Sequence, residues 1–168
     1  YDTVVYLKYD MKPINGVLYC KYGDIGMYVK GKRVGLHRYW YENGQLKSES
    51  NFKDGKYDGL YRYWYENGQL WYKYNYKDDK QDGLCRQWYE NGQLKFEWNF
   101  KDGKRDGLCR NYENGQLESE NNFKDGFYDG LTRVWYKDGQ LRREYIYKLN
   151  NRISERCYDI IGNKIECP

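Results

Sequence analysis

The stretch Gly35-Leu36-His37-Arg38-Tyr39-Trp40-Tyr41-Glu42-Asn43-Gly44-Gln45-Leu46-Lys47-Ser48-Glu49-Ser50-Asn51-Phe52-Lys53-Asp54-Gly55-Lys56 decides the fold, because the chain writes it five times. Its opening Gly-Leu pair returns at Gly59-Leu60, Gly83-Leu84, Gly107-Leu108 and Gly130-Leu131, in steps of 24, 24, 24 and 23 residues by subtraction. A fixed period of this size marks an architecture in which each unit packs chiefly on its neighbours.

Two turns are legible inside each period. Asn43-Gly44, Asn67-Gly68, Asn91-Gly92, Asn114-Gly115 and Asp138-Gly139 are strong signals for two-residue type I′ hairpins. Asp54-Gly55, Asp102-Gly103 and Asp125-Gly126 supply the second turn, with Asp78-Asp79 standing in once. Two turns per repeat give two strands, so the fold class is all-β: an extended, twisted, single-layer antiparallel meander of hairpins.

A two-residue turn at Asn43-Gly44 makes cross-strand partners total 87, which sets Arg38 against Glu49, Tyr39 against Ser48 and Trp40 against Lys47. The same rule pairs Arg86 with Glu97 and Arg133 with Glu144, while Arg62 meets Lys73. Opposite charges facing each other across a ladder contribute about 0.2–1 kcal/mol each, so most of these pairs support the register.

Alternation along the strands sorts side chains onto two faces. In the second repeat one face collects Leu60, Arg62, Trp64, Trp71 and Asn75; the other collects Tyr61, Tyr63, Tyr65, Leu70, Tyr72, Tyr74 and Tyr76. The aromatic side is expected to run on through Tyr89, Leu94, Phe96, Trp98 and Phe100. The fourth repeat lacks one residue, with Arg110-Asn111-Tyr112 where the third has Arg86-Gln87-Trp88-Tyr89. A one-residue change flips side chains to the other face unless a bulge or an altered turn absorbs it, so an irregularity is expected near Asn111.

Outside the five repeats, taken as residues 35–148, the chain reads as two degenerate ends. Residues 1–34 form an N-terminal cap and imperfect repeat, with strand composition over Tyr1–Tyr9 and short strands at Val17–Tyr22 and Gly26–Lys30. Residues 149–168 form a C-terminal capping hairpin in which Asn163, 24 residues after Gly139, takes the turn position. Atypical end units close off the exposed edges of a repeat array.

Composition agrees with a thin sheet. Of 168 residues, 20% are aromatic and 22 are Tyr, while aliphatic residues are scarce, so ring stacking must replace a thick interior. The net charge of +4 comes from 29 basic and 25 acidic residues that are interspersed, which is not the one-sided stripe nucleic-acid binding requires. No run of about 20 apolar residues is present to cross a membrane as a helix. The chain starts at Tyr1 without an initiator Met, as one cut after an export signal or an arbitrary truncation would, so cytoplasmic and exported settings both stay open.

Cys85 and Cys109 hold equivalent positions in successive repeats, two strands or roughly 10 Å apart, beyond disulfide reach. They are expected to be free thiols. Cys157 and Cys167 flank a turn, a spacing compatible with a bridge or with two thiols. No Cys/His spacing suggests a metal, and His37 is the single histidine.

Tyr-Glu-Asn-Gly-Gln-Leu-Lys followed by Asn-Phe-Lys-Asp-Gly-Lys and Asp-Gly-Leu resembles the bacterial variant of the membrane occupation and recognition nexus (MORN) repeat. Over about residues 15–166 the chain is similar to the YwqK-like antitoxins. The resemblance implies a curved single-layer sheet of hairpins with an aromatic-lined groove, used for binding proteins and in some eukaryotic relatives linked to membranes. It implies no catalytic residues and no cofactor.

The aromatic face has a purely structural reading, in which cross-strand rings substitute for a core, and a functional one, in which they meet a partner. The centre of such a surface is Tyr61, Tyr63, Tyr72, Tyr74, Phe96 and Trp98. The repeated Glu42, Glu66, Glu90 and Glu113 beside the turns read as solvated, since a catalytic carboxylate needs one special environment. With near-identical units leaving no unique constellation, an enzyme is excluded in favour of a protein-binding module whose partner is a toxin or a surface protein. The alternatives are an exported surface or periplasmic scaffold, or a binder of carbohydrate or cell wall along the aromatic rail; the modest net charge argues against a membrane surface.

Overall fold

The computed structural model describes residues 13–167, and all regular structure among them is β-strand. The strand read over Tyr1–Tyr9 lies outside the described residues. The chain divides into two compact units, residues 1–82 and 83–168, so the cut falls between the second and third repeats.

The first unit holds β1 (Gly16–Cys20), β2 (Gly23–Val29), β3 (Lys32–Trp40), β4 (Leu46–Lys53), β5 (Lys56–Trp64), β6 (Leu70–Lys77) and β7 (Lys80–Gln81). Each pairs antiparallel with the next. The second unit holds β8 (Gly83–Trp88), β9 (Leu94–Lys101), β10 (Lys104–Arg105), β11 (Gly107–Glu113), β12 (Gln116–Lys124), β13 (Phe127–Tyr128), β14 (Gly130–Trp135), β15 (Leu141–Lys148), β16 (Asn151–Tyr158) and β17 (Lys164–Ile165). Its pairings are likewise all antiparallel, in hairpin order.

The type I′ geometry, expected at the Asn-Gly turns, falls mostly at the second turn of each repeat. Both central residues have positive φ at Asp54-Gly55 (53° and 89°), Asp78-Asp79, Asp102-Gly103 and Asp125-Gly126, so these are the type I′ turns. At Asn43-Gly44 only Gly44 is left-handed, at 85°. Tyr41 N–H donates to Gln45 O at 2.9 Å and Gly44 N–H donates to Tyr41 O at 3.0 Å, which makes a three-residue loop. The side chain of Asn43 accepts the Gln45 N–H at 3.0 Å. An accepting oxygen is therefore what this position requires, and Asp138 satisfies it equally, taking the Gln140 N–H at 3.0 Å.

One extra loop residue shifts the register: Trp40 pairs with Leu46, not with Lys47. A bulge at Lys47 then restores the expected total, so Tyr39 still faces Ser48 and Arg38 still faces Glu49. The second, third and fifth hairpins repeat this, leaving Trp71, Lys95 and Arg142 as the bulged residues. The fourth repeat absorbs its deletion in the turn itself. Glu113 pairs with Gln116 across Asn114-Gly115, whose φ values of 51° and 79° make it the one Asn-Gly turn of type I′. The turn tyrosine is the residue lost, the bulge is kept at Glu118, and the strands beyond stay in phase. At the C-terminal turn Gly162, not Asn163, takes the left-handed position, with Asp159 N–H donating to Asn163 O at 2.9 Å.

The Gly-Leu pair marks a second bulge, of two residues. Phe52 pairs with Tyr57 and Ser50 with Tyr61, so Asn51 faces the whole excess. Its Nδ2 donates to the Leu60 carbonyl at 3.2 Å, as Asn99 does to Leu108 at 2.7 Å and Asn122 to Leu131 at 2.6 Å. These amides satisfy carbonyls that have left the ladder. Gly59 sits there with φ of 107°, and a Cβ on it would come within 3.2 Å of Asn51 Cβ. An even-numbered insertion preserves which face a side chain takes, so the aromatic side persists from strand to strand.

That side is the buried one. Phe52, Phe96 and Phe123 are buried on it, with Cys85, Cys109, Thr132, Ser48, Ser50 and His37 beneath the rings. Small residues pair with large ones, Cys85 with Trp98 and Thr132 with Tyr145. Cys85 and Cys109 are free thiols, as their spacing requires, whereas Cys157 and Cys167 are bonded with Cα atoms 5.2 Å apart, tying β17 to β16.

The opposite side carries an arginine–glutamate zigzag. In the second unit Arg86 meets Glu97 at 2.6 Å, Arg110 meets Glu97 at 3.5 Å and Glu120 at 2.9 Å, and Arg133 meets Glu120 at 3.7 Å and Glu144 at 3.0 Å. In the first unit Glu49 lies between Arg38 and Arg62, but Arg62 pairs in register with Lys73. Lys73→Glu is expected to extend this row and raise stability by about 0.5 kcal/mol. An upward shift in the urea midpoint that shrinks at high salt checks it; an unchanged midpoint at low salt refutes it.

Candidate recognition surface

In the first unit the tyrosines of β5 and β6 form one continuous layer. Tyr61 lies 6.2 Å from Tyr72 and 6.5 Å from Tyr74 between ring centroids, both stacked, and Tyr63 lies 5.3 Å from Tyr72. Tyr72 and Tyr74 are 5.2 Å apart, and Tyr57 and Tyr76 extend the layer toward the Asp-Gly turns. Four of the residues singled out from sequence thus come together here, each half-buried.

Trp71 joins them, contrary to its expected place beside Arg62. The bulge sets Trp71 and Tyr72 together against Tyr63, which turns the indole to the tyrosine side. It stacks on Tyr65 at 5.0 Å and stands edge-on to Tyr63 at 5.5 Å. The sequence signal was the position itself, immediately after Gln-Leu, where other repeats place Lys47, Lys95 and Arg142. Those cations reach over the turn tyrosines: Lys47 over Tyr41 at 5.2 Å, Lys95 over Tyr89 at 5.2 Å and Arg142 over Tyr136 at 5.6 Å. The turn tyrosines in turn bridge repeats, with Tyr41 Oη donating to Trp64 O at 2.6 Å and Tyr136 Oη to Tyr158 O at 3.0 Å.

Phe96 and Trp98, in the second unit, are stacked at 3.8 Å with planes 10° apart. Phe96 is buried. The Arg105 guanidinium lies 3.8 Å from the Trp98 ring centroid, and Trp98 Nε1 donates to Asn111 Oδ1 at 3.0 Å. Asn111 Nδ2 donates onward to Ser119 Oγ at 2.9 Å. Trp98 is therefore packed from several directions and, like the four tyrosines of the first unit, is half-buried.

Electrostatically the tyrosine layer is neutral. Burial pushes the Tyr61 and Tyr72 hydroxyls up from the ordinary phenol range, and neighbouring tyrosines add to the effect. Tyr41 is pushed up to about 12 by burial and by Tyr63 beside it. The surface accordingly presents protonated hydroxyls on an apolar layer, suited to contact and hydrogen bonding. Among the described residues, potential metal ligands cluster at Glu155, Cys157 and Cys167, and the two sulfurs there are bonded to each other.

The family model described as MORN repeat variant matches residues 33–54, 57–78, 81–102, 105–125 and 128–149. The chain belongs to the MORN repeat variant family. The five matches follow the Gly-Leu period, and their spacing drops at the fourth repeat, where the turn tyrosine is missing. MORN repeats serve in general as modules that bind proteins or membranes. No curated protein matches the chain.

Proposed function

We propose that this MORN-repeat chain is a non-enzymatic protein-binding module whose contact surface centres on Tyr61, Tyr63, Tyr72 and Tyr74, with Trp71 added. The observation that carries this reading is the uncovered layer of half-buried tyrosines in the first unit. Tyrosine gives large, rigid contact area at low entropic cost and keeps a polar tip for the partner. Such rings anchor interfaces when a polar rim excludes water around them. Phe96 and Trp98 act in this reading chiefly by holding the second unit's sheet in shape.

The antitoxin-like form of the proposal is that the tyrosine layer covers a toxin made by the same, bacterial, source. Co-expression with the product of the adjacent reading frame tests it, scored by growth rescue and by calorimetry of the purified pair. Tyr63→Ser with Tyr72→Ser is expected to weaken binding at least tenfold in a chain whose circular dichroism still reports the folded sheet. Undiminished binding by that variant would remove the tyrosine layer from the interface.

A second reading, an exported scaffold, is favoured by the Cys157–Cys167 bridge, since disulfides persist in oxidising compartments. Mass spectrometry of the chain taken from its native source, alkylated before reduction, separates the two. A modified pair of thiols there supports the cytoplasmic reading, and a protected pair the exported one.

A further inference from the structure

The last long strand of the second unit is covered along one side only. β16 pairs with β15 from Asn151 to Cys157, whereas on its other side β17 reaches only Cys157 and Tyr158. The inner strands β14 and β15 have a neighbour on both sides. Among the described residues, the outer edge of 151–156 has no strand beside it. That is the length of an ordinary strand. β17 ends at Ile165, and Cys167 beyond it is bonded back to Cys157.

The same edge lacks two side chains that the inner repeats supply. The turn glycines Gly139 and Gly162 are 23 residues apart by subtraction, and the same step carries Arg133 to Arg156 and Glu144 to Cys167. The carboxylate due opposite Arg156 is thus replaced by a sulfur held by Cys157, and the zigzag ends on a cation. The Arg156 side chain is 60% exposed, against 39% for Arg133, and its ion pair among the described residues spans 3.9 Å to Glu144. Glu144 is already engaged by Arg133 at 3.0 Å and by the Tyr158 hydroxyl at 3.0 Å. Two residues before Arg156, Ser154 stands where Leu131 stands one repeat earlier. There the zigzag side carries a recess of about 320 Å³, lined by Leu131, Arg133, Glu144, Ile146, Ser154 and Arg156.

We propose that this edge receives an extended segment of a protein partner as an added antiparallel strand. The segment carries an aspartate or glutamate opposite Arg156 and, two residues on, a leucine or isoleucine opposite Ser154. This extends the protein-binding reading above to a second surface, separate from the tyrosine layer. Main-chain hydrogen bonds to an open strand edge supply affinity, and alternate side chains, which share a face, supply selectivity. The carboxylate gives Arg156 the acceptor that Cys167 does not, and the apolar side chain fills the recess beside Leu131 and Ile146. The chain already builds this arrangement once, with Glu144 and Ile146 of β15 facing Arg133 and Leu131 of β14. A second copy of β16 fits the edge poorly. Its own carboxylate, Glu155, is held by Arg143 and Arg152 on the ring side, where Arg152 lies over Tyr145, so it offers Arg156 no acceptor.

The test uses the full chain and the hexapeptide acetyl-Thr-Glu-Thr-Leu-Thr-Thr-amide, with two control peptides that carry Gln for Glu or Ala for Leu. The readout is the set of backbone N–H resonances of residues 151–156. The first peptide is expected to shift them saturably, and each control to bind severalfold more weakly. Ser154→Leu, which restores the residue of the inner repeats, is expected to erase the difference between the Leu and Ala peptides. Arg156→Glu is expected to reverse the charge preference, so that a peptide with Lys in place of Glu binds best while the β14 resonances stay in place. Equal binding of the Glu and Gln peptides to the native chain, or shifts confined to other strands, overturn the edge site. A concentration-dependent shift of the same resonances without peptide overturns it in favour of a second copy. A null titration also overturns it, and where Tyr63→Ser with Tyr72→Ser still abolishes partner binding it leaves the tyrosine surface standing.

Discussion

Trp98→Ala is expected to destabilise the second unit by about 3 kcal/mol, the lower end of what truncating a packed tryptophan costs. Three contacts go at once. The indole loses its stack on Phe96 at 3.8 Å, Arg105 loses the ring it covers, and Asn111 Oδ1 loses its donor. The aromatic stack alone is worth about 0.5–1.5 kcal/mol beyond area burial. Cys85, fully buried opposite Trp98, would then border a void that a small thiol cannot fill. Trp98→Phe keeps a ring and removes the hydrogen bond, so it should lose about 1 kcal/mol. Urea unfolding followed through resolved signals of the second unit measures both. If Trp98→Ala matches the native midpoint, the indole is a free surface group and belongs back among the candidate contact residues.

Much of this fold was legible because period, alternation and charge agree. Arg38 opposite Glu49 and Arg133 opposite Glu144 follow from strand arithmetic, and the structure pairs them so. Trp71 was assigned to the wrong face for a definite reason. A three-residue loop and a one-residue bulge cancel in the partner total, so every test made beyond the bulge succeeds while the bulged residue itself is misplaced. The type I′ assignment failed at Asn43-Gly44 because Asn has two ways to serve a turn. It accepts left-handed φ, as Asn114 does at 51°, or it stays right-handed and caps a backbone N–H with its side chain, as Asn43 does. Loop length decides between them, and that length follows from the spacing between the strand arginine and Glu-Asn-Gly, one residue shorter after Arg110 than after Arg86. The candidate surface was legible in part: the alternation grouped Tyr61, Tyr63, Tyr72 and Tyr74. How far Phe96 and Trp98 are packed was not readable, since Arg105 reaches Trp98 from the next strand.

Gly26→Ala is expected to cost the first unit about 3 kcal/mol or more. The origin lies in His37, which occupies the inward position held by Tyr61, Cys85, Cys109 and Thr132 in the later repeats. Its ring is fully buried, edge-on to Tyr28 and to Phe52 at 5.1 Å each, with Nε2 hydrogen-bonded to Met27 O at 2.9 Å. Burial lowers its pKa, so the imidazole is a neutral core ring. An added Cβ on Gly26 would lie 2.5 Å from His37 Cγ, and neighbours on both sides block the ring from moving away. Overpacking of this kind costs about 1–3 kcal/mol. The Gly26 φ of 151° adds a backbone strain of similar order for a residue with a side chain. Gly16→Ala separates the two contributions, because Gly16 has φ of 133° with nothing within 4 Å of its Cβ position. It should lose only the strain. Combining Gly26→Ala with His37→Cys, the residue found at the same position in Cys85 and Cys109, removes the ring that the methyl strikes. That double variant should be more stable than Gly26→Ala alone, since the two changes share one volume and cannot be additive. Should the two losses instead add, the ring of His37 does not lie over Gly26, and the packing of the leading hairpin on the first repeat is other than described.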